Sequence, residues 1–237
     1  KWYNTMNYVS LGFNCNVGLA LRDCNLKGAT NVFDWLVSHP KDILHILKEN
    51  INEVLIDDPI FLDFSMEKQK YYITDHTTML MLYDKNMNLI FAHDYDGTQE
   101  SIITTKNIYK RRILRFKNML TENNKILFIF SGKSDHQDYI NNSHSIISLE
   151  DKTDCKQYFF YLQELSKYLK TNFPKLNFHI LAFNLFNEHS DFEKDNFSYK
   201  YLGDCDGREN MEHRIKEFLN NLKNKNLEPI YKNLTNF

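Results

Sequence analysis

Two apolar runs, "KILFIF" (125–130) and "NFHILAFN" (177–184), flank a helical stretch, "CKQYFFYLQELSKYLKTNF" (155–173), and nothing else in the chain restricts its fold as much. A strand, a long crossover helix and a second strand are the signature of a parallel pair, because antiparallel neighbours are joined by short turns. The second half therefore reads as α/β, extended by a strand in "FSYKYLG" and a last helix in "NMEHRIKEFLNNLKN". Residues 131–154 are polar enough to be a loop, and the acidic "NEHSDFEKD" is a second candidate loop.

Upstream, Val9 to Leu11 run into Gly12, and Val17, Ala20, Leu21 and Cys24 then recur at helical spacing. This is a strand or loop feeding a helix. After the turn "NLKGAT" and the compact "NVFDWLVSHP", Ser38 and Pro40 open a helix striped by Ile43, Leu44, Leu47 and Ile51. The β-rich segments "KYYITD", "TTMLMLYD" and "NLIFAHDY" read as an antiparallel meander. A helix over "NIYKRRILRFKNMLTEN" follows, with Tyr109, Ile113, Phe116 and Leu120 on one face. The expected class is α/β (or α+β): N-terminal helices with an antiparallel meander, then a βαβ-type second half in one mixed sheet. At 237 residues a single globular domain over 1–237 can bury its own core. The first residue is Lys1 rather than Met, which leaves room for a longer polypeptide from which this domain is cut.

Composition removes several function classes. Lys and Arg number 29 against 31 Asp and Glu, so there is no overall basic footprint and no nucleic-acid partner is expected. No apolar run reaches the about 18 residues of a membrane span, and "KWYNTMNYVS" lacks the architecture of a signal peptide. Four scattered cysteines, Cys15, Cys24, Cys155 and Cys205, form no CxxC pair and no zinc spacing. The expectation is a cytoplasmic protein with reduced thiols, no metal and no cofactor. "FIFSGKSD" lacks the first glycine of a P-loop, and GxGxxG, HExxH and GxSxG are all missing.

Chemistry concentrates in a few places. Cys15 stands where a loop turns into a helix, and a helix N-terminus is one device that favours a thiolate. Asn14, just before it, offers an amide toward an oxyanion. A small buried cysteine needs no such role, since cysteine is among the most buried residue types. His93, at the polar end of "LIFAHDY", is a candidate base, with His39, His76, His136 and His213 as rivals. Asp94 points to the opposite face of a continuing strand, which leaves Asp96 or Asp34 to orient the imidazole. Asp34, between the aromatics of "FDWL", must find partners if buried. It either acts in the site or ties down the Cys15 helix through Arg22. Arg111, Arg112 and Arg115 lie on one helix, Arg111 and Arg115 on one face, and such a pair either clamps a carboxylate or phosphate or is simply solvated.

The block "SLGFNCNVGLALRDCNLKGATNVFDWL", together with "FAHDY", "YKRRILRF" and "ILFIF", resembles a family of bacterial and large-virus proteins described as papain-like cysteine peptidases. The likeness spans residues 8 to 130. It implies Cys15 as nucleophile and His93 as base, with Asp34 and Asp94 as further polar residues of the pattern.

Three functions remain open. The first is thiol acyl chemistry on a peptide or other acyl-bearing substrate by the Cys-His pair, as hydrolase or acyltransferase. The second is a glycosyltransferase-like domain acting on a sugar or phosphate-bearing substrate through His93, Asp94, Asp96 and the three arginines. The third is a non-catalytic module of a larger protein.

Overall fold

The computed structural model describes residues 6–12, 15–50, 70–74, 77–84, 89–91, 96, 98–122, 124–132, 155–184, 192–203 and 208–224. In chain order its elements are β1 (Met6–Ser10), α1 (Asn16–Asp23), β2 (Leu36–Val37), α2 (Pro40–Asn50), β3 (Lys70–Thr74), β4 (Thr77–Asp84) and β5 (Leu89–Phe91). They continue with α3 (Gln99–Thr121), β6 (Lys125–Ser131), α4 (Cys155–Asn172), β7 (Asn177–Phe183), β8 (Phe192–Lys194), β9 (Phe197–Lys200) and α5 (Arg208–Asn224).

The parallel pair is the centre of a sheet ordered β1-β6-β7-β9-β8. Its first four strands are parallel and only β8 runs the other way. From Ile126 onward β6 is buried throughout, which explains a sequence without polar alternation: helices cover both faces. Ile126, Phe128 and Phe130 join Phe178, Ile180 and Ala182 in the cluster that packs α2, α3 and α4. Their sequence neighbours Leu127 and Ile129 join Leu181 and Phe183 under α1 and α5. The result is a three-layer α/β/α stack.

Each helix buries the stripe that its periodicity announces. In α4 it is Tyr158, Leu162, Leu165 and Leu169, and in α5 Met211, Ile215 and Leu219. The α3 helix begins at Gln99, eight residues before the stretch beginning at Asn107 that the apolar pattern marks. Thr98 is the reason: its Oγ1 accepts from the Ser101 N–H at 3.1 Å, and Ile102 and Thr105 prolong the buried face.

One local reading is narrowed and one corrected. The segment before α1, read as a strand or a loop, is a strand, β1, paired in parallel with β6 from Met6↔Lys125 to Ser10↔Ile129. The acidic "NEHSDFEKD" is not only a loop, because it contains β8, seated where Phe192 meets Phe159 and Phe197 at 5.1 and 5.9 Å between ring centroids. The meander forms a sheet of its own, ordered β2-β5-β4-β3 and antiparallel throughout.

Candidate functional site at the carboxyl edge of the sheet

Four parallel strands end along one edge of the sheet, where α/β proteins place their ligands. The ladder runs past the end of β1: Leu11 N–H donates to the Ile129 carbonyl at 2.8 Å, and Ser131 N–H to the Gly12 carbonyl at 3.3 Å. Gly132 N–H then reaches the Phe183 carbonyl, and Asn184 N–H the Lys200 carbonyl. Gly12, Ser131, Phe183 and Lys200 thus form one row at this edge.

At Gly12 the chain turns with φ +88°, a left-handed conformation that favours glycine. The Ser10 hydroxyl accepts the Gly12 N–H at 3.2 Å, while the Ser38 hydroxyl donates to the Leu11 carbonyl at 3.0 Å. A Cβ at Gly12 would lie 2.1 Å from Ser38 Oγ, so both conformation and space demand glycine. This turn delivers the chain to Cys15, the N-cap of α1. The Cys15 side chain makes no capping hydrogen bond, its carbonyl accepts the Leu19 N–H at 2.8 Å, and the residue is 4% exposed. A thiol is therefore held at the positive end of a helix, on the edge where the parallel strands terminate.

Asp34 is fully buried, with Oδ2 3.0 Å from Lys27 Nζ and accepting the Asn31 N–H at 2.7 Å. Burial pushes its carboxyl above the usual range, and the Lys27 charge, the Asn31 N–H and Arg112 pull the other way. Among the described residues Oδ1 has no hydrogen-bond partner. The tie to α1 is steric: a Cβ on Gly18 would stand 2.8 Å from the Asp34 carbonyl oxygen. The expected partner Arg22 instead pairs with Asp23 at the surface, and Lys27 takes its place because the buried loop folds back on itself. Lys27 also lies 4.4 Å from the centre of the Trp35 ring.

Two of the arginines serve the same loop. Arg115 donates to the Thr30 carbonyl at 2.9 Å, and Arg112 stacks on Tyr109 at 4.5 Å and acts electrostatically on Asp34. Arg111 is exposed. The structure thus brings Asp34, Arg112 and Arg115 together around residues 27–34, about four to five turns of α3 from its N-terminal cap. Asn14, His93 and Asp94 lie outside the described residues, as do His76 and His136.

Among the described residues, three other imidazoles have partners of their own. His39 opens α2: Nδ1 accepts the Lys41 N–H at 2.9 Å, and its carbonyl accepts from Asp42 and Ile43. His213 is exposed, 3.6 Å from Glu217. His179 bonds Ser198 at 2.7 Å near the amino end of β7, and burial lowers it to about 4, so it stays neutral. Asp96 is exposed and accepts from both Thr98 N–H and Thr98 Oγ1, bonds that hold its carboxyl low. Among the described residues no group of three His, Cys, Asp or Glu side chains can hold a metal ion.

With this geometry in place, residues 6–157 match the model of a family described as "Putative papain-like cysteine peptidase (DUF1796)". The chain belongs to this family. No curated protein and no solved structure matches it. The matched span holds β1, the Cys15 turn, the Asp34 loop, the meander, α3 and β6, whereas β7, β9 and α5 lie beyond it. In this chain the stretch "LGFNC" holds the Gly12 turn and ends at Cys15, the N-cap of α1. Ser10, Ser38, Ser131 and Asn184 line the same edge and carry no motif of their own. Among the described residues no helix is long and apolar enough to cross a membrane.

Proposed function

We propose that this chain is a thiol acyl hydrolase or acyltransferase of the papain-like cysteine peptidase type, with Cys15 as nucleophile and His93 as its base. The observation that carries the reading is the seat of Cys15 at the first turn of α1, directly after a glycine turn on the carboxyl edge of a parallel sheet. There the helix dipole favours the thiolate, and the N–H groups left over at a helix start are donors that an acyl oxygen gaining charge can use. Cys15 attacks a peptide or other acyl carbon, His93 carries the proton to the leaving group, and water or an amine resolves the thioester. Asp94 is assigned to the polar surroundings of His93. Asn14 contributes an amide to the oxyanion. Asp34 acts by holding the loop that braces α1. Cys15 and Cys24 form no disulfide, and a thiol nucleophile belongs in a reducing, cytosol-like compartment.

The test is alkylation by iodoacetamide from about pH 5 to about pH 9, mapped cysteine by cysteine. Cys15 is expected to react well below the free-thiol pKa of about 8.5, more slowly in His93→Ala, and Cys15→Ala is expected to lose acyl transfer while keeping its fold. A Cys15 that stays inert in the folded protein sinks the reading.

A second reading has one observation in its favour: α1 and α5 both start at the strand-end edge, as phosphate-binding helices do in α/β transferases. Its arginine clamp is weakened, since Arg112 and Arg115 are engaged with the 27–34 loop and only Arg111 is exposed. Titration with a nucleotide sugar decides it: heat of binding that disappears in Arg111→Ala supports transfer of a sugar, and no heat removes it.

A further inference from the structure

Three large hydrophobic side chains are exposed among the described residues, and two of them, Ile103 (54%) and Leu114 (43%), sit on α3. Helix geometry projects both within about 20° of one direction, about 16 Å apart along the axis. Lys110 falls between them on the same line, with Lys106 and Lys117 on one flank and Arg111 on the other. Between Glu100 and Glu122 this stretch of chain carries six basic residues and no acidic one. Arg112 and Arg115 are engaged with Tyr109 and the 27–34 loop, whereas Lys110 and Arg111 are exposed. The opposite side of the helix is buried through Ile102, Tyr109, Ile113, Phe116 and Leu120, so a basic face with two apolar knobs stands on a fixed support.

A face of one sign calls for a partner of the other, and the layout of this one selects the class. A partner helix needs an apolar seam at alternating steps of four and three. That line reads Ile103, Asn107, Lys110, Leu114, Lys117 and Thr121, and only Ile103 and Leu114 are apolar. Lysine is also depleted from the centres of protein interfaces, and Lys110 lies at the centre here. A lipid surface imposes no register. Single apolar side chains enter the boundary of the acyl chains, lysine and arginine stems reach back to the phosphates, and anionic head groups supply charge at any spacing. We propose that the outer face of α3 docks on an anionic lipid bilayer, with Ile103 and Leu114 entering the interface and Lys110, Arg111 and Lys117 paired with head groups. The helix axis then lies along the membrane plane and the chain is held at the surface. This docking is independent of the acyl chemistry assigned to Cys15.

Co-sedimentation with vesicles tests it. The protein is expected to bind phosphatidylcholine vesicles containing about 30 mol% phosphatidylserine in about 0.15 M salt, and to leave pure phosphatidylcholine vesicles in solution. Lys110→Glu with Arg111→Glu should lower the partition coefficient about 100-fold, and Ile103→Ser with Leu114→Ser about 10-fold. Lys167→Glu with Lys170→Glu on α4 changes the net charge equally and should stay within about twofold of the unsubstituted protein. All six positions are exposed, and a common urea midpoint checks that the variants share one fold. Failure to bind the phosphatidylserine vesicles overturns the proposal. So does an equal loss in the α4 variant, which would mark a response to net charge alone, or binding unchanged by the two serines, which would mark adsorption without insertion. Capture by polyglutamate but not by the vesicles overturns it in favour of an acidic protein partner.

Discussion

The two ends of α1 carry the same side chain in opposite settings. Cys15 caps the amino end, at the edge of the sheet where the parallel strands stop, and Cys24 caps the carboxyl end; each is 4% exposed. Beyond Cys24 the helix closes in a Schellman turn: Leu26 N–H bonds the Leu21 carbonyl at 2.9 Å, Asn25 N–H bonds the Arg22 carbonyl, and Asn25 takes φ +54°. Cys24 Sγ donates to the Lys216 carbonyl at 3.7 Å, and burial pushes its thiol up. Equal burial of one residue type thus comes with opposite surroundings: the positive end of the helix dipole and the strand ends at Cys15, the negative end and a carbonyl partner at Cys24.

The largest expected effect is on reactivity. At neutral pH, Cys15 should be alkylated about 100-fold faster than Cys24, the ratio that follows if one thiol is substantially ionised and the other almost wholly protonated. Peptide mass mapping over a time course measures it, and equal rates would erase the contrast.

Next comes the brace on the Cys15 half. Lys27→Met leaves Asp34 buried without its cation and should cost about 3–5 kcal/mol in urea unfolding near pH 7. The pH dependence has a definite sign. The folded carboxyl binds its proton more tightly than the unfolded one, so stability falls as pH rises from the ordinary carboxylate value through the higher folded value. That fall should be steeper in Lys27→Met, and Lys27→Met combined with Asp34→Asn should flatten it.

Gly18→Ala tests the contact with the Asp34 carbonyl. Overpacking should cost about 1–3 kcal/mol and slow the alkylation of Cys15 more than that of Cys24. The smallest effect is expected at the far end. Asp23, exposed and paired with Arg22 and Lys216, can be changed to Asn with no shift in the urea midpoint beyond replicate scatter, and with both thiol rates unchanged.

What the sequence reveals about this molecule depends on whether a residue's partners are nearby in the chain. The β6 and β7 runs and the stripes of α4 and α5 state their environment locally, since burial on both faces or on one face shows directly in the residue pattern. The start of α3 is less visible, because Thr98 supplies a cap before any apolar period begins. Asp34 shows the limit more sharply. Its burial between aromatics is plain in "FDWL", but the choice of Lys27 over Arg22 depends on how a loop folds against Gly18.

The bed of α1 also sets a timetable. Val17, Ala20, Leu21 and Cys24 pack against Leu181, Phe183, Met211, Ile215 and Leu219, and the Cys24–Lys216 contact spans 192 residues of sequence. Contacts that distant form late, after the cost of closing so long a loop is met. During synthesis the helix bearing Cys15 emerges well before the segments that form its floor. A ribosome-bound chain would therefore carry a thiol with the reactivity of an ordinary peptide cysteine, and the set position of Cys15 would arrive with the docking of α5.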